Sequence, residues 1–190
     1  RVDRMDAVVM CGGRGTRLGT QTEKPLVAVG GHPMIARVIA ACQIDPIERV
    51  FVATSAHTPV TRAWARAQDV PVIDTPGAGY VEDLGVVMAD LDPPVLTITA
   101  DIPGVAPRHL RRLLRKHGAS GSAVTAVTPV GVKRWLGCSV APLYAQAGVA
   151  PIGLNIVDQE PAVSLLLCDP AVSVNVNTVT DLQIARARCA

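Results

Sequence analysis

A short stretch near the start of the chain combines an apolar run, closely spaced glycines and cationic side chains, DAVVMCGGRGTRLG at residues 6–19. Glycine has no Cβ, so the backbone N–H groups of such a segment can come within hydrogen-bond distance of phosphate oxygens. The glycines directly after the apolar run are Gly12, Gly13 and Gly15. We expect this segment to bind phosphate groups, with Arg17 and Lys24 adding positive charge to the same site.

Two common phosphate-binding motifs do not fit this spacing. A dinucleotide fingerprint that begins at Gly13 would need a third glycine where the chain has Leu18. A Walker motif needs Gly-Lys-Ser/Thr after four intervening residues, and these glycines do not begin one. The segment instead resembles the N-terminal signature of the nucleotidyltransferase superfamily, Gly-Gly-x-Gly-Thr-Arg-x-Gly followed by Lys-Pro, with Cys11 where alanine is usual. The resemblance implies a nucleoside triphosphate held for attack at its α-phosphorus.

This chemistry needs neutralisation of the triphosphate charge, an in-line nucleophile and a metal ion for the developing pyrophosphate charge. The expected donors to the β- and γ-phosphates are the groups of Gly12, Gly13, Gly15 and Thr16. Arg17 would bridge the leaving pyrophosphate, and Lys24 would stabilise the α-phosphate. These two residues and Asp101 are the predicted catalytic residues.

The predicted metal site depends on two positions far apart in the sequence. Asp101 follows the apolar strand pattern of residues 95–100, at a position that holds magnesium in the superfamily, although a strand-end aspartate can also be an ordinary turn residue. Asn177 stands where the superfamily commonly has a carboxylate, and an amide oxygen brings no charge. We therefore expect one Mg²⁺, carried mostly by the triphosphate and Asp101. The alternative for Asn177 is a capping or turn residue before a helix.

The elements that position these residues alternate between Val- and Ile-rich strand patterns and helical patterns. The predicted strands are residues 6–11, 48–54, 70–74, 94–100 and 122–128, and the predicted helices lie near 33–43, 59–68, 79–91 and 107–117. Further strand patterns at 152–157 and 163–168 precede a helix from about residue 179. The alternation predicts a single α/β domain over residues 5–190, Rossmann-like, with a mostly parallel central sheet, helices on both faces and three α/β/α layers.

Ligands of such sheets bind beyond the carboxyl ends of the strands. The predicted rim consists of Gly12–Arg17, Thr54, Ser55, Asp74, Thr75 and Asp101. Residues 129–150 break the alternation with several prolines and glycines. We expect them to form a long excursion over the acceptor site.

The segment 72–85, VIDTPGAGYVEDLG, is expected to line the base and sugar, with Gly79 permitting close approach. Guanine presents two neighbouring donors, which a carboxylate can accept together. Asp74, Glu82 or Asp83 could do so, although Glu82 and Asp83 could equally be N-terminal helix acids that complement the helix dipole.

This segment, together with residues 53–59, 151–155 and 175–178, resembles the archaeal GTP:adenosylcobinamide-phosphate guanylyltransferases, relatives of the molybdenum cofactor guanylyltransferases. The resemblance runs from about residue 5 to the end of the sequence and is carried by these later segments more than by the glycine loop. It implies transfer of GMP from GTP to adenosylcobinamide phosphate during cobalamin assembly. It also implies that Gly153, Asn155 and Asn177 face the acceptor, although Asn155 could equally be a satisfied amide at a strand end.

Composition narrows the classes of partner. Net charge is +2 and aromatic residues make up 3% of the chain, so nucleic-acid binding is not indicated. Apolar runs are too short to span a bilayer, and the five scattered cysteines predict free thiols in a reducing cytoplasm. A homodimer is possible.

Two other functions stay open at this point. One is guanylyl transfer to a different phosphorylated acceptor, such as molybdopterin or a sugar phosphate. The other is a non-catalytic guanine-nucleotide sensor, for which Asn177 is the best support.

Overall fold

The computed structural model describes residues 4–189, and residue 190, the last of the predicted domain, lies outside them. Nine strands and seven helices occur in the described residues. The strands are β1 (Met5–Met10), β2 (Ala28–Val29), β3 (His32–Pro33), β4 (Ile47–Thr54), β5 (Val72–Asp74), β6 (Val95–Thr99), β7 (Val124–Pro129), β8 (Val149–Val157) and β9 (Val163–Leu166). The helices are α1 (Met34–Ala41), α2 (Pro59–Ala67), α3 (Tyr80–Asp90), α4 (Pro107–Ser120), α5 (Val130–Leu136), α6 (Pro142–Ala147) and α7 (Val179–Arg188).

Seven strands form the central sheet in the order β5-β4-β1-β6-β8-β7-β9. All neighbouring pairs are parallel except those that include β8, which runs antiparallel to both β6 and β7. The mostly parallel α/β fold predicted from the alternation is thus confirmed. The short strands β2 and β3 pair with each other in a separate hairpin.

Both faces of the sheet are covered, as the nearly continuous apolar pattern of β1 requires. Ala7 and Val9 pack in the cluster on one face, whereas Val8 and Met10 pack in the cluster on the other. Helices α1, α2 and α4 contribute to the first cluster and α3 to the second. A third apolar cluster joins the base of the glycine segment to α7 through Leu18 and other side chains. These packed layers hold the strand ends rigidly at the rim.

The excursion that was expected from residue 129 contains two short helices, α5 and α6, and then continues directly into β8. Pro142 begins α6, and Gly137 and Gly148 follow the two helices in left-handed conformations. Pro142, Gly137 and Gly148, which broke the sequence pattern, are therefore helix boundaries. No helix among residues 4–189 has both the length and the apolarity to cross a membrane.

Candidate active site

The glycine loop packs so closely that side chains are excluded at two of its positions. A Cβ at Gly12 would collide with the carboxylate of Asp83 and lie 3.2 Å from the Thr75 hydroxyl. Gly15 has a φ of +61°, and a Cβ there would lie 2.9 Å from Cβ of Lys24. The loop therefore keeps its backbone open towards the cleft while Lys24 packs against it.

A cleft of about 370 Å³ lies between this loop, the end of β6 and the start of α3. Its walls include most of the residues predicted to bind the triphosphate. They are Gly12, Gly13, Gly15, Thr16, Arg17, Lys24, Gly79 and Asp101, with Asp83, Tyr80, Thr99 and Asn177 beside them. We refer to it as the first cleft.

Lys24 lies between the two residues that were predicted to hold a metal ion. Its Nζ donates to Oδ2 of Asp101 at 2.7 Å and to Oδ1 of Asn177 at 2.9 Å. The other oxygen of Asp101 accepts from the Thr99 hydroxyl at 2.8 Å and from Nδ2 of Asn175 at 3.3 Å. Two oxygens from distant parts of the chain thus converge on one cationic position.

These oxygens are the ligand type that hard divalent cations prefer. Among residues 4–189, however, no three His, Cys, Asp or Glu side chains group closely enough to form a protein-only metal site. Asp101 and Asn177 therefore fit an ion that takes its remaining ligands from elsewhere, such as triphosphate oxygens and water.

A second cleft of about 640 Å³ adjoins the first. Arg17, Tyr80, Thr99, Asp101 and Asn177 line both clefts. The remaining wall comes from β8, from the excursion and from the segment before α7, and it includes Gly153, Asn155, Lys133, Asn175 and residues 139–142. The three predicted acceptor residues, Gly153, Asn155 and Asn177, are all in this wall.

Asn155 has hydrogen-bond partners within the protein. Its Nδ2 donates to the Tyr80 hydroxyl at 3.2 Å, and that hydroxyl lies 3.1 Å from the Thr97 hydroxyl. Gly153 approaches Thr99 so closely that a Cβ would collide with the threonine side chain. Both residues therefore help to shape the cleft wall.

Four residues of the predicted rim do not line the first cleft. Thr54, Ser55 and Thr75 are buried, and the Ser55 hydroxyl donates to the carbonyl of Gly12 at 2.8 Å. The Thr75 hydroxyl donates to the carbonyl of Thr54 at 3.1 Å. Asp74 is exposed and forms an ion pair with Arg62 at 2.8 Å. In this arrangement Ser55 supports the loop from below.

Asp83 is the buried carboxylate of the three that were considered for reading guanine. It lies in the first turn of α3, where its Oδ1 accepts from the backbone N–H of Gly77 at 2.7 Å. It lines the first cleft, whereas Glu82 is exposed. Of the three carboxylates, Asp83 is therefore the one that is both buried and in the wall of the first cleft.

Asp181 connects the excursion to the loop that carries Asn177. Its carboxylate accepts from the backbone and hydroxyl of Ser139, and from the backbone N–H groups of Asn177 and Thr178, at 2.7–3.1 Å. Burial alone would raise the pKa of Asp181, but these bonds outweigh burial and lower it. The carboxylate is therefore kept ionised at the start of α7.

The sequence analysis did not identify Lys133, Asn175 or Asp181 as functional. Lys133 contacts Ser173 and Asn175, forty or more positions away. Its local sequence carries no motif, so only the tertiary structure reveals this contact. Asp181 did have a local signal, the Thr178–Asp181 capping pattern, but not one that indicated its contact with Ser139.

Comparison with known proteins gives relatives over the whole chain. Adenosylcobinamide-phosphate guanylyltransferase of Methanocaldococcus jannaschii is 28% identical over 189 residues, which cover 95% of each chain. The bifunctional protein GlmU of Micrococcus luteus is 31% identical over 133 residues, which cover 64% of this chain and 27% of GlmU.

Solved structures show the same fold at lower identity. CMP:2-keto-3-deoxy-manno-octonic acid synthetase complexed with CTP superimposes with a TM-score of 0.69 at 16% identity, covering 98% of each chain. Rv0371c from Mycobacterium tuberculosis H37Rv superimposes with a TM-score of 0.67 at 17% identity. Residues 7–152, which include the glycine loop, Lys24 and Asp101, match the model of the MobA-like NTP transferase domain. The chain therefore belongs to the MobA-like NTP transferase family.

Proposed function

We propose that the protein transfers GMP from GTP to the phosphate of adenosylcobinamide phosphate, giving adenosylcobinamide-GDP and pyrophosphate. The similarity to the M. jannaschii enzyme extends over 95% of both chains. It includes the excursion, which lies within the matched family domain, and also the end of β8 and the segment with Asn175 and Asn177, which lie beyond that domain. These are the parts that form the wall of the second cleft.

The observation that carries the proposal is the junction of the two clefts. Arg17, Asp101 and Asn177 line both, so a triphosphate in the first cleft and a phosphorylated acceptor in the second would meet beside these side chains. Holding two reactants in line supplies much of the rate enhancement in phosphoryl and nucleotidyl transfer.

In the proposed reaction an oxygen of the acceptor phosphate forms a bond to the α-phosphorus of GTP. The bond from this phosphorus to the oxygen that bridges to the β-phosphate breaks, and pyrophosphate leaves with the electron pair. The attacking oxygen is already ionised, so the step needs no general base. Lys24 would stabilise the charge on the α-phosphate and Arg17 the charge on the leaving pyrophosphate.

Asp101 and Asn177 would hold one Mg²⁺ together with the triphosphate. Bound there, the ion would neutralise charge on the departing pyrophosphate. The Lys24 ammonium is a flexible cation that bonds to the same two oxygens. When the nucleotide binds, Lys24 would exchange these partners for the α-phosphate.

We assign the reading of guanine to the part of the first cleft beside Asp83. Its carboxylate lies next to Gly12 at the start of α3 and lines this cleft, and a carboxylate can accept from the guanine N1–H and N2–H₂ donors together. We further propose that the enzyme is cytoplasmic and that it can form a homodimer. We also propose that the chain is one domain, in which residues 129–150 cover the acceptor site.

The test is incubation of the protein with GTP, Mg²⁺ and adenosylcobinamide phosphate, with pyrophosphate release and the mass of the corrinoid as readouts. ATP, CTP and UTP are the controls. A mass gain equal to GMP with GTP alone supports the proposal. Pyrophosphate release with molybdopterin or a sugar phosphate, but not with the corrinoid, would assign another acceptor.

A non-catalytic sensor is the alternative of a different class. It predicts GTP binding without pyrophosphate release for every acceptor tried. Arg17 and Asp101 at the junction, with Lys24 in the first cleft beside Asp101, argue against it, since a protein that only binds GTP needs no charged groups where the acceptor phosphate would meet the α-phosphate.

A further inference from the structure

Lys133 is a buried cation in the wall of the second cleft. It lies in α5, within the excursion, and only 4% of its surface is exposed to solvent. Its Nζ donates to the carbonyl of Ser173 at 2.8 Å and to Oδ1 of Asn175 at 2.9 Å. The ammonium is thus fixed at a defined position beside the cleft.

Both of these partners are neutral. None of the ion pairs among residues 4–189 includes Lys133, and the two hydrogen bonds use two of its three N–H donors. A buried charge is ordinarily paired, because an uncompensated ion loses its hydration without replacement. Burial accordingly lowers the pKa of Lys133, and the nearby Cys138, Asp101 and Asp181 side chains only partly oppose this.

The position of Lys133 connects it to the reacting centre. Asn175, which accepts from Lys133, donates through Nδ2 to Oδ1 of Asp101 at 3.3 Å and to the carbonyl of Ile152 at 2.9 Å. Asp101 in turn accepts from Lys24. One polar chain therefore runs from Lys24 in the first cleft to Lys133 in the second.

Transfer between two phosphates brings two anions together. A phosphate monoester carries a charge of about −1.5 to −2 at neutral pH, and the triphosphate is also anionic. Lys24 lies in the first cleft and Arg17 at the junction, so a phosphate monoester in the second cleft would be stabilised by a further cation in that cleft. Lys133 is a cation in that wall and it lacks a carboxylate partner.

We propose that the ammonium of Lys133 binds the acceptor's phosphate monoester in the second cleft and holds it for attack. This inference rests on the proposed function, because it assumes that the acceptor carries its phosphate into that cleft. Asn175 is then a positioning residue, since its amide joins Lys133 to Asp101.

The test compares binding of adenosylcobinamide phosphate and of adenosylcobinamide, which lacks the phosphate, to the wild-type protein and to Lys133→Gln. Glutamine keeps an N–H donor for the Ser173 carbonyl but removes the charge. Arg134→Gln is the matched control, because Arg134 is the neighbouring residue of the same helix and its side chain is exposed. Lys133→Arg keeps the charge. The affinity for GTP is measured for every variant.

We expect the wild type and Arg134→Gln to bind the phosphorylated corrinoid more tightly than the unphosphorylated one. Lys133→Gln should lose about tenfold or more in affinity for the phosphorylated corrinoid only, since a hydrogen bond to a charged group is removed. GTP binding should be unchanged, and Lys133→Arg should recover part of the loss.

The inference is overturned if Lys133→Gln still distinguishes the two corrinoids as the wild type does. It is also overturned if this variant loses affinity for GTP and for both corrinoids together, because the role of Lys133 would then be structural. If the wild type forms the product, the proposed function stands, and either of these results contradicts only the role of Lys133. A wild type that binds GTP but neither corrinoid would overturn both proposals.

Discussion

Lys24 would change its hydrogen-bond partners in the proposed reaction. Its ammonium is bonded to Asp101 and Asn177, within reach of the first cleft and of the junction. In the proposed reaction this cation would stabilise charge that develops on the α-phosphate, whereas the glycine loop would bind the outer phosphates. Binding and turnover should therefore depend on different residues.

We expect Lys24→Ala to lower kcat by about 10²- to 10³-fold, the typical effect of removing one charge-stabilising group. The dissociation constant for GTP should change much less, because the backbone donors of the loop remain. Asp101→Ala should likewise lower kcat much more than it weakens GTP binding. The rate of pyrophosphate release gives kcat, and titration with GTP gives the dissociation constant.

Lys116→Ala serves as the control for Lys24, since Lys116 is exposed on α4. It should keep wild-type kcat. Wild-type turnover in both Lys24→Ala and Asp101→Ala would contradict the proposed mechanism, and an equal loss of GTP affinity and kcat would make these residues binding groups only.

At the scale of elements, the start of α7 joins three parts of the site. Asp181 holds the backbone of Asn177, caps the helix together with Thr178 and binds Ser139 of the excursion. The carboxylate is buried, so its loss would leave several donors without an acceptor. One residue thus positions both a predicted metal ligand and a wall of the second cleft.

Asp181→Ala should lower the free energy of unfolding by about 2–4 kcal/mol. Thr180→Ala, at an exposed position in the same helical turn, should change it by less than about 0.5 kcal/mol. Denaturant unfolding measures both. Equal stability of the two variants would show that Asp181 does not hold these elements together.

The start of α4 depends on a buried histidine. Nδ1 of His109 accepts from the backbone N–H of Ala106 at 3.0 Å, so its proton is on Nε2, which donates to Asp169 at 2.9 Å. Burial lowers the pKa of His109 below its usual value of 6.5. For Asp169, burial would raise the pKa, but the bonds from His109, Ala171 and Arg108 prevail and lower it to about 2.

Both shifts act in the same direction on stability. The unfolded chain binds a proton at His109 below about pH 6.5 and the folded chain resists doing so, so stability is lost as the pH falls. The contribution of Asp169 is present above pH 3.8 and is lost as the pH falls towards about 2. The interval from pH 6.5 to 5 therefore reports mainly on His109.

His109→Gln should make stability less dependent on pH in this interval. Glutamine at the third position of a helix can accept from the N-cap backbone and still donate to Asp169, but it does not titrate. Urea unfolding at pH 6.5, 6.0, 5.5 and 5.0 should give a smaller slope for the variant. A steeper slope would mean that the neutral histidine is not the form that stabilises α4.

The elements could be predicted well because their signals are local. Pro59 and Pro107 begin α2 and α4 as their sequence context indicates, and the apolar run before Asp101 forms β6. The antiparallel direction of β8 and the two helices before it could not be predicted in the same way. Strand direction depends on the path of the connection, which periodicity does not record.

The whole candidate site is formed by contacts between distant parts of the sequence. The loop residues and Asp101 had recognisable motifs, and the structure brings them together in one cleft. Thr54, Ser55 and Thr75 were also expected on the rim, but their side chains are buried instead of lining the first cleft, and the Ser55 hydroxyl bonds to the carbonyl of Gly12 in the loop. Lys133 had no local signal because its partners belong to a different segment.

The ion pair between Lys24 and Asp101 affects how the protein should respond to the removal of metal ions. The negative charge of Asp101 is balanced by Lys24 at 2.7 Å, so we expect the fold to be stable without a divalent cation there. The proposed reaction does need one, carried in with the triphosphate. Stability and activity should therefore separate when metal is removed.

We expect EDTA to leave the unfolding temperature of the unliganded protein unchanged while it abolishes GMP transfer, with excess Mg²⁺ restoring transfer. GTP with Mg²⁺ at 100 times its dissociation constant should stabilise the protein by about 2.7 kcal/mol, and EDTA should reduce this gain. Thermal unfolding and pyrophosphate release, measured on the same samples, test both. A fall in the unfolding temperature of the unliganded protein on adding EDTA would mean that a resident ion, and not Lys24, balances Asp101.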